Sequence, residues 1–155
     1  MNNRQKIYKI TCIIILIDQI VKMIIRSNIK LLEEIKVINN FFFLTHLENT
    51  GAAFSILEDS ILFLIILSVL FIIIIDKFIK KEENTFTKIE ITSLGLIIGG
   101  VYGNLIDRII YHKVTDYISF RIMDYSFPVF NIADIAITVG TFLFIISNFF
   151  IKRKN

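Results

Sequence analysis

The sequence predicts an all-α membrane protein of four transmembrane helices, with short extracytoplasmic β-strands in the first outer loop, and three observations carry that expectation. Apolar residues make up 55% of the 155 and only 20% are charged, with a mean hydropathy of +0.70, a balance too apolar for a water-soluble domain of this length. Four long apolar segments, at about 7–25, 60–79, 89–110 and 129–151, reach or approach the roughly 20 residues that cross about 30 Å of hydrocarbon. Between the first two, residues 36–57 mix β-branched and aromatic side chains with an Asn39-Asn40 break and a Gly-containing turn at Asn49 to Gly51, the pattern of short strands at a membrane surface. No length remains for a separate soluble domain, so residues 1–155 are expected to form one integral membrane domain.

In the first span, Arg4, Lys6 and Lys9 precede the apolar run in the manner of a cleavable signal peptide. Asp18 and Lys22 interrupt that run and no small-x-small site follows, so the segment is expected to remain as a span. Asp18 and Lys22, four apart, can pair along the helix. Cys12 reads as a buried free thiol, and a single cysteine excludes an internal disulfide. Phe41 to Phe43 are expected to pack in a core or an interface. In the third span Gly95, Gly99 and Gly103 make a doubled small-xxx-small face for close helix packing, with Gly100, Asn104 and Asp107 on an adjoining face. The fourth span carries Asn131, Asp134, Thr138 and Thr141 as a polar stripe. Both stripes are expected to face the bundle interior, because exposure to lipid is costly.

Basic residues orient the chain. Arg4, Lys6 and Lys9, then Lys77, Lys80, Lys81 and Lys88, then Lys152, Arg153 and Lys154 fall on one side of a four-span protein. The positive-inside bias puts that side, and both termini, in the cytoplasm, and leaves 27–59 and 111–128 outside. The net charge of +3 calls for no nucleic-acid partner, since the basic clusters suit anionic membrane lipids.

On this topology Asp107, Asp116, Asp134 and the Asn49 to Gly51 turn gather in one layer near the extracytoplasmic boundary. Asp107 lies one turn before the end of its span and Asp134 a little over one turn inside the next, with Asp116 on the mobile-looking connection between them. Asp107, followed by Arg108 and supported by Asn104, is better suited to positioning than to proton transfer. If Asp116 approaches Asp134 at low dielectric, the two carboxyls share a proton, the state in which an aspartyl peptidase activates water with one and polarises an amide carbonyl with the other. On these residues alone, catalysis, structural hydrogen bonding and ion conduction all remain open. Zinc-peptidase chemistry finds no support, since "HLEN" at His46 lacks the second His of HExxH; His46 and His112 read as surface residues, and no metal site is expected. No G-x-S-x-G supplies a serine nucleophile, and the glycines of the third span lack the G-K-[ST] ending of a phosphate loop.

Five blocks, in order, are "DQIVK" (18–22), "ENTGAAFSIL" (48–57), "GGVYGNLIDRI" (99–109), "VTDYI" (114–118) and "FNIADIAITVG" (130–140). With them the chain resembles the lipoprotein signal peptidases, the type II signal peptidases of bacteria, over nearly its whole length. The resemblance implies a four-helix aspartyl endopeptidase of the bacterial cytoplasmic membrane with both termini cytoplasmic and a surface cradle. Such an enzyme removes signal peptides from diacylglyceryl-modified prolipoproteins by cutting before the lipidated Cys. It further implies Asp116 and Asp134 as the catalytic pair, with Asp18, Lys22, Asn49, Gly51, Asn104, Asp107, Arg108 and Asn131 shaping or supporting the site. No cofactor is implied, and a monomer is expected. Tyr117 stands where Phe is usual, and Ile135 where a small or polar residue is common; these departures bear on packing or rate. A proton- or ion-coupled transporter is the rival from another class, but it would carry polar residues through its depth, whereas the inner half of every span here is almost purely apolar. A non-catalytic assembly factor, which would tolerate loss of both aspartates, is the third reading.

Overall fold

The structure is a computed structural model and describes residues 1–51, 60–82, 85–123 and 125–151. Residues 52–57 of the strand-like segment and the basic tail Lys152, Arg153 and Lys154 lie outside the described residues. Helix α1 (Asn3–Asn28) leads to strands β1 (Glu34–Ile38) and β2 (Phe42–Asn49). Helices α2 (Ile61–Lys81) and α3 (Lys88–Tyr111), strands β3 (Val114–Ile122) and β4 (Tyr125–Ser126), and helix α4 (Ile132–Ile146) follow, the last ending in a π-helical turn, Ser147–Ile151.

Three helical stretches among the described residues are long and apolar enough to cross a membrane: Ile61–Lys81, Lys88–Tyr111 and Ile132–Phe149. Helix α1, at 26 residues, is long enough, but Asp18, Lys22 and Arg26 interrupt its apolar run. Asp18 and Lys22 are fully buried, while Ile13, Leu16, Ile17, Ile20, Met23 and Ile24 point outward. A capping box starts α1 (Asn2 with Gln5) and another starts α3 (Thr87 with Glu90), closing amides that have no partner within the helix.

The strands form one antiparallel sheet in the order β1-β2-β3-β4. Asn40, with φ of 57°, turns the chain between β1 and β2, a left-handed conformation that Asn tolerates better than most side chains. The sheet is therefore not confined to the first outer loop: β3 and β4 come from the connection between α3 and α4. Asp116 sits on the interior strand β3, opposite Leu47 of β2, and not on a mobile link. The aromatic run packs here, with Phe43 buried and Phe42 stacked on Phe120 at 5.1 Å between centroids.

Helix α3 is the spine of the bundle, wedged between α1 and α4. A Cβ on Gly95 or Gly99 would fall 2.6 Å from Cβ of Ile10 or 2.7 Å from Cβ of Ile14, so the glycine face is what lets α1 lie this close. Gly100 meets α4 instead, where a Cβ would stand 2.3 Å from the Ala133 carbonyl oxygen. Backbone cannot swing aside as a side chain can. Gly100→Ala is accordingly expected to cost about 1–3 kcal/mol by forcing the two helices apart, to be read as a lower melting temperature in detergent. Helix α2 is the loosest, with only Leu64 and Ile79 buried along its length. Its polar ties cluster at the end away from the sheet, where Asp76 accepts from the Tyr8 hydroxyl and pairs with Arg4 at 3.6 Å and Lys80 at 2.6 Å.

Several side chains lie elsewhere than the sequence pattern suggests. Cys12 is exposed, because its neighbour Thr11 faces α3 and donates to the Gly95 carbonyl at 3.3 Å, turning the next position about 100° outward. His46 is buried where the β2–β3 register shifts between Leu44 and Leu47; its Nδ1 lies 2.9 Å from the Ile29 carbonyl oxygen, whereas His112 is exposed. On α4 the polar stripe splits: Asn131 is buried and Asp134 half-buried, but Thr138 and Thr141 are exposed. Positions 134 and 138 are one turn apart on the same face, and Thr138 lines the same cavity as Asp134, so its exposure is to that open space and not to a packed neighbour.

Candidate active site

Two groups of acids sit at the sheet end of the bundle, in very different surroundings. The first centres on Lys22. Its Nζ lies 2.9 Å from Asp18 Oδ2 one turn earlier, 3.3 Å from Asp107 Oδ2 and 3.0 Å from Asn104 Oδ1, with the side chains of Lys22, Asp18 and Asp107 fully buried. Arg26, one turn further along α1, places Nη1 3.4 Å from Asp107 Oδ1 and donates to Thr115 Oγ1 at 2.9 Å, its guanidinium over the Tyr111 ring. Asp107 also accepts from Gln19 Nε2 at 3.2 Å and from the Thr115 amide at 3.0 Å. Two cations face two carboxylates, and every oxygen of Asp107 is taken. The cluster is a closed bracket joining α1, α3 and β3.

Asp107 thus has the structural surroundings its sequence suggests, but its cations are Lys22 and Arg26 and not the adjacent Arg108. One residue's step turns Arg108 away from Asp107, and its Nη2 donates to the Gly51 carbonyl at 3.2 Å. Asn104 does not support Asp107 either. Its oxygen faces Lys22 and its amide donates to Asp134 Oδ1 at 2.8 Å.

The second group is the pair Asp116 and Asp134. Asp116 accepts from Asn131 Nδ2 at 2.7 Å on one oxygen and from Asn49 Nδ2 at 3.0 Å on the other. Asn49 is itself held in the turn by the Gly51 amide, which donates to its Oδ1 at 2.9 Å. Asp134 lies in the first turn of α4, nearer the helix start than a span from residue 129 would put it. Asn131 and Asp134 cap each other: the Asp134 amide donates to Asn131 Oδ1 at 3.0 Å and the Asn131 amide to Asp134 Oδ2 at 3.2 Å. One asparagine therefore touches both acids, and a second, oriented by Lys22, steadies Asp134. Both carboxyls line a cavity of about 650 Å³ together with Asn49, Asn104 and Arg108.

Burial pushes the Asp116 carboxyl up to about 7, and the negative charge of Asp134 adds to this, against the hydrogen bonds from Asn49 and Asn131. Among the described residues no three His, Cys, Asp or Glu side chains converge as metal ligands do. Gln19, Arg26 and Thr115 belong to the site without having been singled out in the sequence, and Tyr117, marked there only as a departure bearing on packing or rate, touches it too. Arg26 had a signal there, since Asp18, Lys22 and Arg26 repeat every four residues along one helix face.

The chain is 34% identical to a bacterial membrane enzyme solved by the in meso method at 2.3 Å resolution, with a TM-score of 0.80 over 90% of this chain and 84% of that one. A second bacterial membrane enzyme, solved by the same method at 1.9 Å, is 33% identical with a TM-score of 0.79, covering 92% of this chain and 91% of the other. The family model described as Signal peptidase (SPase) II matches residues 10–150. With nearly the whole chain matched and the fold shared with membrane enzymes, this protein belongs to the signal peptidase II family of aspartic-type membrane peptidases.

Proposed function

We propose that the protein removes the signal peptides of diacylglyceryl-modified prolipoproteins, cutting before the lipidated Cys, and that Asp116 and Asp134 are its catalytic pair. Membership of the family implies cleavage of lipoprotein signal peptides. The observation that carries the residue assignment is the contrast among the acids: Asp18 and Asp107 are closed off by cations, whereas Asp116 and Asp134 both open into one cavity. Asp116 keeps its proton up to about pH 7 and donates it toward the scissile carbonyl oxygen. Asp134 takes a proton from water as the water oxygen attacks the carbonyl carbon; when the tetrahedral intermediate collapses and the C–N bond breaks, Asp134 gives that proton to the leaving nitrogen and Asp116 takes its own back from a hydroxyl of the intermediate. Asn49, Asn104 and Asn131 hold the two acids, Lys22 with Asp18 and Asp107 fixes the frame, and Arg108 with Gly51 ties the turn to the cavity edge.

The lipid on the substrate fits the form of the cavity. Ile135 and Val139 line it and are exposed, and with Val101, Val129 and Ile137 they make one side of it apolar. Acyl chains can then stay in the bilayer while the peptide reaches the acids. In this reading α1 is a fourth span, favoured by its apolar outer face and its internally neutralised Asp18 and Lys22. The whole chain is one membrane domain acting as a monomer, both termini are cytoplasmic, and the sheet and the acids lie at the extracytoplasmic face of a bacterial cytoplasmic membrane.

Purified protein given the same precursor with and without its diacylglyceryl group tests the substrate. Only the lipidated form is expected to be cut, at the bond before the modified Cys, with a rate that falls above about pH 7 as Asp116 loses its proton. Equal cleavage of the unmodified precursor would remove lipid recognition from the proposal.

A further inference from the structure

The start of α4 is held more completely than a single cap requires. Its first three helical amides and the amide of its cap each find a side-chain acceptor: Asn131 N donates to Asp134 Oδ2, Ile132 N to Tyr117 Oη at 3.3 Å, Ala133 N to Asp18 Oδ1 at 3.0 Å and Asp134 N to Asn131 Oδ1. Two of these contacts are the internal capping box and one comes from the buried bracket on α1. The fourth, from Tyr117, comes from the strand residue next to Asp116.

Tyr117 is 2% exposed, and its ring packs with Ile25 and Ile29 beside α1. Its own amide donates to the Phe130 carbonyl at 3.1 Å, and Ile118 exchanges two further backbone hydrogen bonds with Phe130, at 2.8 and 3.1 Å. Asp116 meanwhile takes the Asn131 side chain at 2.7 Å. Residues 116–118 of β3 are thus stapled to residues 130–132, and the Tyr117 hydroxyl is the only one of these contacts that reaches into the helix itself. A phenylalanine would fill the same apolar space and leave the Ile132 amide without that acceptor.

We infer that Tyr117 is a positioning residue for the reaction, its hydroxyl fixing the first turn of α4 on β3 and thereby the separation of Asp134 from Asp116. The inference rests on the proposed catalytic pair. Burial pushes the phenol well above its ordinary range, so it acts as a neutral dipole throughout the working pH. Without this contact the strand still holds Phe130 and Asn131, but the Ile132 amide has lost its side-chain acceptor, so the first turn of α4 fluctuates more and the two carboxyls spend less time at their working spacing. Binding of the lipid and the signal helix, made elsewhere along the cavity, is left as it was.

The test is Tyr117→Phe in the full-length protein in detergent, beside Asp134→Asn. A lipidated precursor serves as substrate, and amide hydrogen exchange is followed over residues 130–136. For Tyr117→Phe, kcat is expected to fall about five-fold, the scale of one lost hydrogen bond, with KM unchanged. The alkaline limb of its pH–rate profile should move to lower pH, since Asp116 then feels less of the Asp134 charge, and exchange at the start of α4 should quicken. A variant with parental kcat and pH profile overturns the inference, whether or not exchange has quickened, and so does a loss confined to melting temperature. If Asp134→Asn turns over normally, the catalytic pair itself is wrong and the inference falls with it; an inactive Asp134→Asn beside a normal Tyr117→Phe counts against Tyr117 alone.

Discussion

Asp116→Asn and Asp134→Asn are each expected to lower turnover of a lipidated precursor by about a thousandfold or more, while both variants purify as folded protein. An amide keeps the size of the carboxyl and one acceptor oxygen, so Asn131 can still be met at position 116 and one of the two donors at position 134. Neither amide can take a proton from water or hand one to a carbonyl. A gel-shift assay on purified enzyme reads the loss directly, and near-parental turnover in either variant would remove that residue from the pair. Thermal stability separates the two positions. The raised Asp116 carboxyl contributes stability that is complete below its ordinary value of 3.8 and is lost as pH rises through about 7. An asparagine loses nothing over that interval, so the melting temperature of Asp116→Asn should gain on the parent between pH 4 and pH 8.

Lys22→Met is expected to do the opposite kind of damage, abolishing the fold. The ammonium is fully buried and touches Asp18, Asp107 and Asn104, so its removal leaves buried carboxylates facing each other with only Arg26 to offset them. Breaking a buried ion pair by deleting one partner costs about 3–5 kcal/mol, a large share of the stability of a domain this size. Size-exclusion profiles in mild detergent should show aggregate in place of a single folded peak. Adding Asp107→Asn to Lys22→Met should recover part of that peak by removing one unmatched charge. A monodisperse, active Lys22→Met would mean that the bracket contributes little to the fold.

The parts of this site that could be read from the sequence are those written in local spacing. Asp18 and Lys22 pair because residues four apart share a helix face, and the glycine face of α3 accepts α1 for the same reason. Asp116 and Asp134 could be brought to one layer by counting turns from the span ends. What escaped depends on partners distant in the chain. β3 pairs over most of its length with β2, some 70 residues earlier, and local spacing in a connection between two spans does not announce a strand whose partner is that distant. That Arg108 points some 100° away from Asp107, free to reach a loop carbonyl, follows from helix geometry, but that Lys22 and Arg26 are the cations closing on Asp107 does not, since both lie on another helix. Cys12, His46, Thr138 and Thr141 each depended on which way a face turned in the assembled bundle, and one strand of sequence does not fix that rotation.

Helices α1, α3 and α4 are locked by charge and by the close approach the glycines permit, whereas α2 is anchored at the end away from the sheet and half-packed elsewhere, yet contributes Ser68 to the cavity wall. Among the described residues this is a compliant helix beside a stiff frame. Among those residues α2 buries the fewest side chains of the four helices, so changes in bilayer thickness or lateral pressure are expected to fall on it first. The spacing of the two carboxyls, set within the frame, is shielded from those loads.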